Sequence, residues 1–166
     1  MALQPPPAIP PVGDTLALGA ERIHGRLLDK LGAATAYRGD VSGGLALVDS
    51  VRGTFARALR THHPRNGELR TYLARSHVNR GDFAGHPSFT NVGRPEAVLA
   101  DYRAARAELA AVPDSARIAY TDRLAGITYE REGTLLVERG DFAGARRAYA
   151  AALAFHEELA ARPGVG

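Results

Sequence analysis

From Leu16 onward the apolar residues fall at helical spacing, and no segment shows sustained alternation of period two with β-branched enrichment. Leu16, Leu18, Ile23, Leu27, Leu28 and Leu31 roughly follow the helical period behind Asp14 or Thr15 as cap, and predict a helix to about Arg38. Gly39 supplies a left-handed stop and Asp40 or Ser42 the next cap. The second helix then runs through Leu45, Leu47, Val48, Val51, Phe55 and Leu59 to His62, His63 and Pro64. A third is expected over roughly Glu68 to Arg80, followed by one long irregular stretch, Gly81 to Arg94. A fourth starts around Pro95 and carries Val98, Leu99, Tyr102 and Leu109. A fifth spans Ser115 to Arg139 with Ile118, Leu124, Ile127, Leu135 and Leu136 inside. The sixth is capped by Asp141, reaches about Ala161, and leaves Leu153, Phe155 and Leu159 on an apolar outer end. The expectation is all-α: six helices in three antiparallel pairs, over units of about 14–64, 65–113 and 114–163, behind a proline-rich disordered tail at 1–13 and before a short tail at 164–166.

The string Arg-Gly-Asp-Phe-Ala-Gly occurs twice, at Arg80 to Gly85 and Arg139 to Gly144, and a third Arg-Gly-Asp sits at Arg38 to Asp40. Aligning the three pairs puts one glycine inside each first helix (Gly32, Gly81, Gly133) and a second one after it (Gly39, Gly93, Gly140). A glycine in mid-helix costs about 1 kcal/mol against alanine, so it points to a partner helix crossing too closely for a Cβ. Downstream come Gly44, Val98 and Ala145, then Val48, Tyr102 and Tyr149, then Val51, Ala105 and Ala152, a small-large-small order that suits knobs entering a facing groove. Pairing the identical hexapeptides instead would put His86-Pro87-Ser88 inside a helix, where proline is disfavoured.

At these residues the chain resembles the tetratricopeptide repeat (TPR) family. The third unit fits best, with Tyr129, Gly133, Leu136, Gly140-Asp141-Phe142, Ala145, Tyr149 and Ala152. The first has Leu28 and Val48 in the aromatic places and Gly44 in the alanine place, and the second has His77 in the first aromatic place. The stretch Gly81 to Pro87, with Asn91-Val92-Gly93 and Ala100 to Arg103, is similar to a segment of the TPR regions that follow bacterial eukaryotic-like serine/threonine kinase domains. The resemblance implies a short right-handed TPR-like α-solenoid, a non-catalytic scaffold for signalling that binds a peptide or protein segment in a concave groove. It places Arg26, Asp29, Lys30, Ala33 and Tyr37 on the groove face of the first unit. The second adds Arg75, Val78 and Asn79, and the third Ile127, Glu130, Arg131, Thr134 and Glu138. Arginine, lysine and asparagine together would hold a peptide carboxylate by charge-assisted hydrogen bonds.

Composition narrows the chemistry. At 166 residues the chain suffices for one domain. It has no cysteine, so disulfides, thiolate metal sites and cysteine nucleophiles are out. The formal charge is only +3 although the sequence pI is near 9.6, because all but one of the 21 Lys+Arg side chains are arginine, Lys30 being the lysine. That excess permits a rival reading as a basic nucleic-acid-binding or regulatory helical module, but no helix-turn-helix or aromatic platform supports it, and nucleic acid is not the expected partner. The clustered histidines His62, His63, His77 and His86 suggest a metal-dependent enzyme only weakly, since no pair has i, i+4 spacing or a His-Glu-x-x-His context. Neither a catalytic constellation nor a cofactor or metal is expected. The Arg-Gly-Asp strings read as helix ends, with glycine in the left-handed place and aspartate as the next cap, rather than as adhesion motifs. Pro5, Pro6, Pro7, Pro10 and Pro11 interrupt any secretory apolar run, and no stretch is long enough for a membrane helix. A stand-alone chain is expected in the cytoplasm, while a piece of a membrane kinase would leave the compartment open. Self-association through the apolar C-terminal helix is expected as well.

Overall fold

A computed structural model describes residues 12–61 and 63–162. They form six α-helices in sequence: α1 (Val12–Tyr37), α2 (Val41–Thr61), α3 (Gly67–Gly85), α4 (Pro95–Ala110), α5 (Ala119–Glu138) and α6 (Phe142–Ala160). There is no strand among the described residues. The tail expected at 1–13 lies outside the described residues up to Pro11, as do His62 and the stretch from Pro163, and α1 already includes Val12 and Gly13.

Each helix packs most closely on its neighbour in sequence: α1 on α2, α3 on α4, α5 on α6. The pairs are antiparallel. A Cβ on Gly32 would touch Val48 and Leu47, whereas Gly44, earlier in α2, lies against Ala36, later in α1. The same arrangement recurs where Gly81 abuts the Tyr102 ring and Gly133 the Tyr149 ring, with a hypothetical Cβ only 2.8 and 2.7 Å from the nearest ring carbon. Gly32, Gly81 and Gly133 thus lie at close approaches of the two helices of each pair, with Gly25 and Gly44 closer still in the first, and Val48, Tyr102 and Tyr149 use the space beside them. Between pairs, α2 packs on α3 and α4 on α5, while the first helices also touch in series, α1 to α3 and α3 to α5.

The helix ends follow local chemistry. Asp40 and Asp141 cap α2 and α6, accepting from the backbone N–H of Gly43 and Gly144 at 2.8 Å each. Asn66 caps α3 from Leu69 N–H at 2.9 Å. Gly39 and Gly140 adopt φ of +104° and +75°, as a left-handed turn between antiparallel helices requires.

Several expectations need correction. α3 does not stop at Arg80 but continues to Gly85, and Gly81 is helical rather than left-handed. The extension is held by tertiary contacts: Asp82, Phe83 and Ala84 are all buried, Phe83 against Ala36, Val41 and Val48 of the first pair. The irregular segment therefore shrinks to 86–94. It is pinned back on α3 by Val92 N–H to Phe83 O (3.0 Å) and Arg94 N–H to Ala84 O (2.7 Å).

The fifth helix starts at Ala119 rather than Ser115, because Asp114–Ala116 make a single tight turn and Arg117 and Ile118 are extended. Arg117 is held there by Asp122 (2.5 Å) and Leu109 O (3.2 Å), which leaves Ile118 exposed rather than in the core.

In α1 the large apolar residues are not the core. Ile23, Leu27 and Leu31 are 56%, 62% and 53% exposed, and the buried seam is Gly25, Asp29, Gly32 and Ala36. The side chains of Leu16 and Leu18 fall outside the described ones. At the other end Phe155 stacks on Tyr129 and Leu159 is half-buried, so of the expected apolar end only Leu153 is fully presented, now joined by Phe142 and Tyr149.

The backbone seam makes opposite predictions for two glycines of α2. A Cβ on Gly44 would sit 2.6 Å from Gly32 O and 2.9 Å from Ala36 N, whereas one on Gly53 meets nothing within 4 Å. Gly44→Ala should lower the unfolding free energy by about 1–3 kcal/mol. Gly53→Ala should raise it by up to about 1 kcal/mol. Urea denaturation of the two variants checks the pair.

Candidate functional site

Because the first helices touch in series while the second helices make no comparable contact, α1, α3 and α5 share one face of the stack. Its centre is a buried carboxylate. Asp29 of α1 accepts from the Arg75 guanidinium and, at 2.7 Å, from the Asn79 amide, both on α3. Burial alone would lower the Arg75 pKa, but the Asp29 charge and bonds to Tyr120 and Asp29 outweigh it and hold the guanidinium above its ordinary value. Three of the expected groove residues are thus joined to each other. Asp29 already supplies the carboxylate that Arg75 and Asn79 were expected to offer to a ligand.

Beside this cluster lies an aromatic groove of about 230 Å³, lined by Glu68, Thr71 and Tyr72 of α3, Ala116 and Ile118 of the connection, and Tyr120 of α5. Tyr72 stacks on Phe55 with centroids 5.7 Å apart, and the Arg26 and Arg75 guanidinium carbons lie 5.5 and 5.8 Å from its ring centre. Its hydroxyl donates to Glu68 at 3.0 Å, and Glu68 in turn takes the Arg22 guanidinium at 2.7 Å. Burial first, and then Glu68, raise the Tyr72 pKa, so the phenol stays a donor. Arg26 and Lys30 are exposed and pair with no described carboxylate. Arg26 lies over the Tyr72 ring, and Lys30 follows one turn later on the exposed side of α1.

The remaining expected residues spread out. Tyr37 is exposed and meets Phe83 edge-on at 5.9 Å. Ile127 packs on the core formed by α3, α4 and α5. Thr134 donates to Glu130 O (3.2 Å) and lies 3.1 Å from the Tyr149 hydroxyl, which ties it to α6. Glu130 and Glu138 are exposed.

Arg131 belongs to a second cluster, between the second and third pairs. It covers the Phe89 ring at 4.3 Å and places Nε 3.3 Å from Asp82 Oδ1, an ion pair without the alignment of a hydrogen bond. Asp82 also accepts from the Tyr102 hydroxyl at 2.7 Å. His86, at the end of α3, accepts at Nδ1 from Ser88 N–H (3.2 Å), so its Nε2–H donates to Arg131 O (3.1 Å). His77 lies apart from it, 3.6 Å from Asp101.

Sequence reasoning missed Tyr72, Tyr120 and Ile118. Glu68, Tyr72 and Arg75 stand at helical i, i+4, i+7 spacing and are legible as one face. Tyr120 and Ile118 were hidden by the misplaced start of the fifth helix.

Burial raises the Asp82 carboxyl to about 6, with Arg131 and Tyr102 pulling it back only in part, while burial lowers His86. Between its unfolded value and 6, Asp82 keeps a proton in the folded chain that the unfolded chain has released. Its contribution to stability therefore grows as pH falls through 6 and is complete near 4. His86 acts oppositely, losing stability as pH falls through its ordinary value, but it is common to wild type and Asp82→Asn and cancels in their comparison. The wild type should gain on Asp82→Asn by up to about 3 kcal/mol from pH 7 to pH 4, at about 1.4 kcal/mol per unit of pKa shift. Urea melts at the two pH values measure it; a constant difference would contradict the assignment.

Compared with known proteins, the chain matches no family model, no curated protein and no solved structure.

Proposed function

We propose that the chain is a short right-handed TPR-like α-solenoid acting as a non-catalytic interaction module. It binds an extended peptide or protein segment on the face shared by α1, α3 and α5, in the manner of the repeat regions that accompany bacterial serine/threonine kinases. The observation that carries this reading is the groove beside Tyr72 and Tyr120: an apolar floor with Arg26 over the Tyr72 ring and Lys30 one turn further along the exposed side of α1. The meeting of each in-helix glycine with a large side chain of its partner helix supports the repeat assignment. The ligand class that suits this surface is a segment with an aromatic or aliphatic anchor and one or two carboxylates. Arg75 and Asn79 act as the rigid backing of the groove, because Asp29 holds them in place.

Selection from a displayed random-peptide library tests the reading. Enriched sequences should combine an apolar anchor with acidic residues, and bind at least about tenfold more weakly to a variant carrying Arg26→Glu, Lys30→Glu and Ile118→Asp, since each lost charge-assisted bond costs roughly 1.5–3 kcal/mol. All three positions are exposed, and aspartate at 118 supplies a side-chain cap for α5, so the variant should keep its helicity. Arg57→Glu, on α2 and away from this face, should bind as the wild type does. No enrichment, or equal binding by the groove variant, would defeat the proposal.

A further inference from the structure

The two ends of the stack carry apolar side chains at the register positions that join one pair to the next inside it. Six positions of α3 that face or flank the preceding pair are Leu69, Tyr72, Leu73, Ser76, Arg80 and Phe83, and all are buried or half-buried. Counting from the in-helix glycines, their counterparts in α5, from Thr121 to Leu135, are buried or half-buried too. In α1 the same positions are Ala20, Ile23, His24, Leu27, Leu31 and Ala34, and every one is exposed. A terminal repeat facing only water is expected to turn a polar side outward, yet this one presents Ile23, Leu27 and Leu31 more than half exposed.

The α6 end is its complement. Within the chain, Val41 at the start of α2 shares a buried cluster with Phe83 of α3, and Arg106 of α4 pairs with Glu132 of α5 at 2.6 Å while covering Tyr129 at 4.4 Å. By the same register Phe142 stands in the place of Val41 and Leu153 in the place of Arg106, and they are 69% and 58% exposed. Across a junction of α6 with another α1, Phe142 would meet the small Ala34 where Val41 meets the large Phe83. Leu153 would meet Leu31 and Leu28 where Arg106 meets Glu132 and Tyr129. Size is exchanged in the first contact, and an ion pair is replaced by an aliphatic pair in the second. Both faces change together in the sense that keeps them matched.

We propose that the α6 face of one copy docks on the α1 face of a second copy, head to tail, continuing between molecules the register that joins helix pairs within one. The two faces differ, so the contact is heterologous and each added copy leaves a free end of each kind. This association does not depend on what the groove beside Tyr72 binds.

Sedimentation velocity over a concentration series tests it, with the full chain, Leu31→Glu, Leu153→Glu, and an equimolar mixture of the two variants. The wild type should form species heavier than monomer that grow with concentration. Each variant alone should stay monomeric, and the mixture should recover a dimer and stop there, because only one intact face of each kind remains. Both substituted side chains point largely to water, so helicity by circular dichroism should not change. The double variant Leu31→Glu/Leu153→Arg rebuilds at the junction the Arg–Glu pair that α4 and α5 already make. It should assemble again and dissociate as salt is raised. A wild type that is monomeric throughout, assembly by Leu31→Glu alone as expected for α6 pairing with α6, a mixture that stays monomeric, or a double variant that does not assemble would each overturn the proposal.

Discussion

Close approach of the two helices within each pair is the constraint on which the rest of the structure depends. Gly32, Gly44 and Ala36 bring α1 and α2 together until backbone nearly meets backbone, and Gly81 and Gly133 admit the rings of Tyr102 and Tyr149. A pair joined this tightly behaves as a rigid slab with an apolar side toward the next one. The core is consequently a series of small clusters rather than one large mass. One lies around Val48 and Phe83, another around Phe55 and Leu69, and a third around Tyr102 and Leu135.

Buried carboxylates key the helices to one another, both within the pairs and between them. Asp29, Asp82, Asp101 and Asp122 are all buried, and each meets at least one arginine from outside its own helix: Arg75, Arg131, Arg80, and for Asp122 both Arg117 and Arg162. Ion pairs of this kind add little net stability compared with apolar packing, but removing one partner strands a charge. Asp29–Arg75 and Asp82–Arg131 run from one pair to the next and fix their register, whereas Asp101–Arg80 and Asp122–Arg162 fix the helices within a pair and Asp122–Arg117 holds the connection that leads into α5. The forked guanidinium suits this task better than an ammonium does, and it gives the arginine-rich composition a local structural use.

How much was legible in the sequence depended on whether a signal was set by the backbone or by the neighbours. The in-helix glycines and the caps at Asp40 and Asp141 were legible because they answer to local geometry. The two copies of Arg-Gly-Asp-Phe-Ala-Gly show where local geometry stops deciding. In the first, Asp82 bonds Tyr102 and Phe83 fills a hole left by the first pair, so the helix runs on. In the second, Asp141 caps a new helix and Phe142 has no described pair to enter, so it stands in solvent. The buried face of α1 was misread for a related reason. Periodicity weights large apolar residues, and this seam is built from small ones. Of the site, the polar cluster around Asp29 came from residues already singled out, whereas the groove beside it needed the true start of α5.

One feature of the face shared by α1, α3 and α5 gives it a chemical address. Lys30 is the only lysine of the chain, and it is exposed beside Arg26. Acylation or isopeptide attachment at a side-chain amine has no other place to act on this molecule, and arginine methylation, which keeps the charge, would not mimic it. A modification that neutralises Lys30 would leave every Asp–Arg key untouched and change only the charge offered to whatever lies in the groove. The same selectivity makes the residue a handle: an amine-reactive fluorophore or photo-crosslinker, applied without any engineering, labels the side chains of this protein at its proposed binding surface and nowhere else.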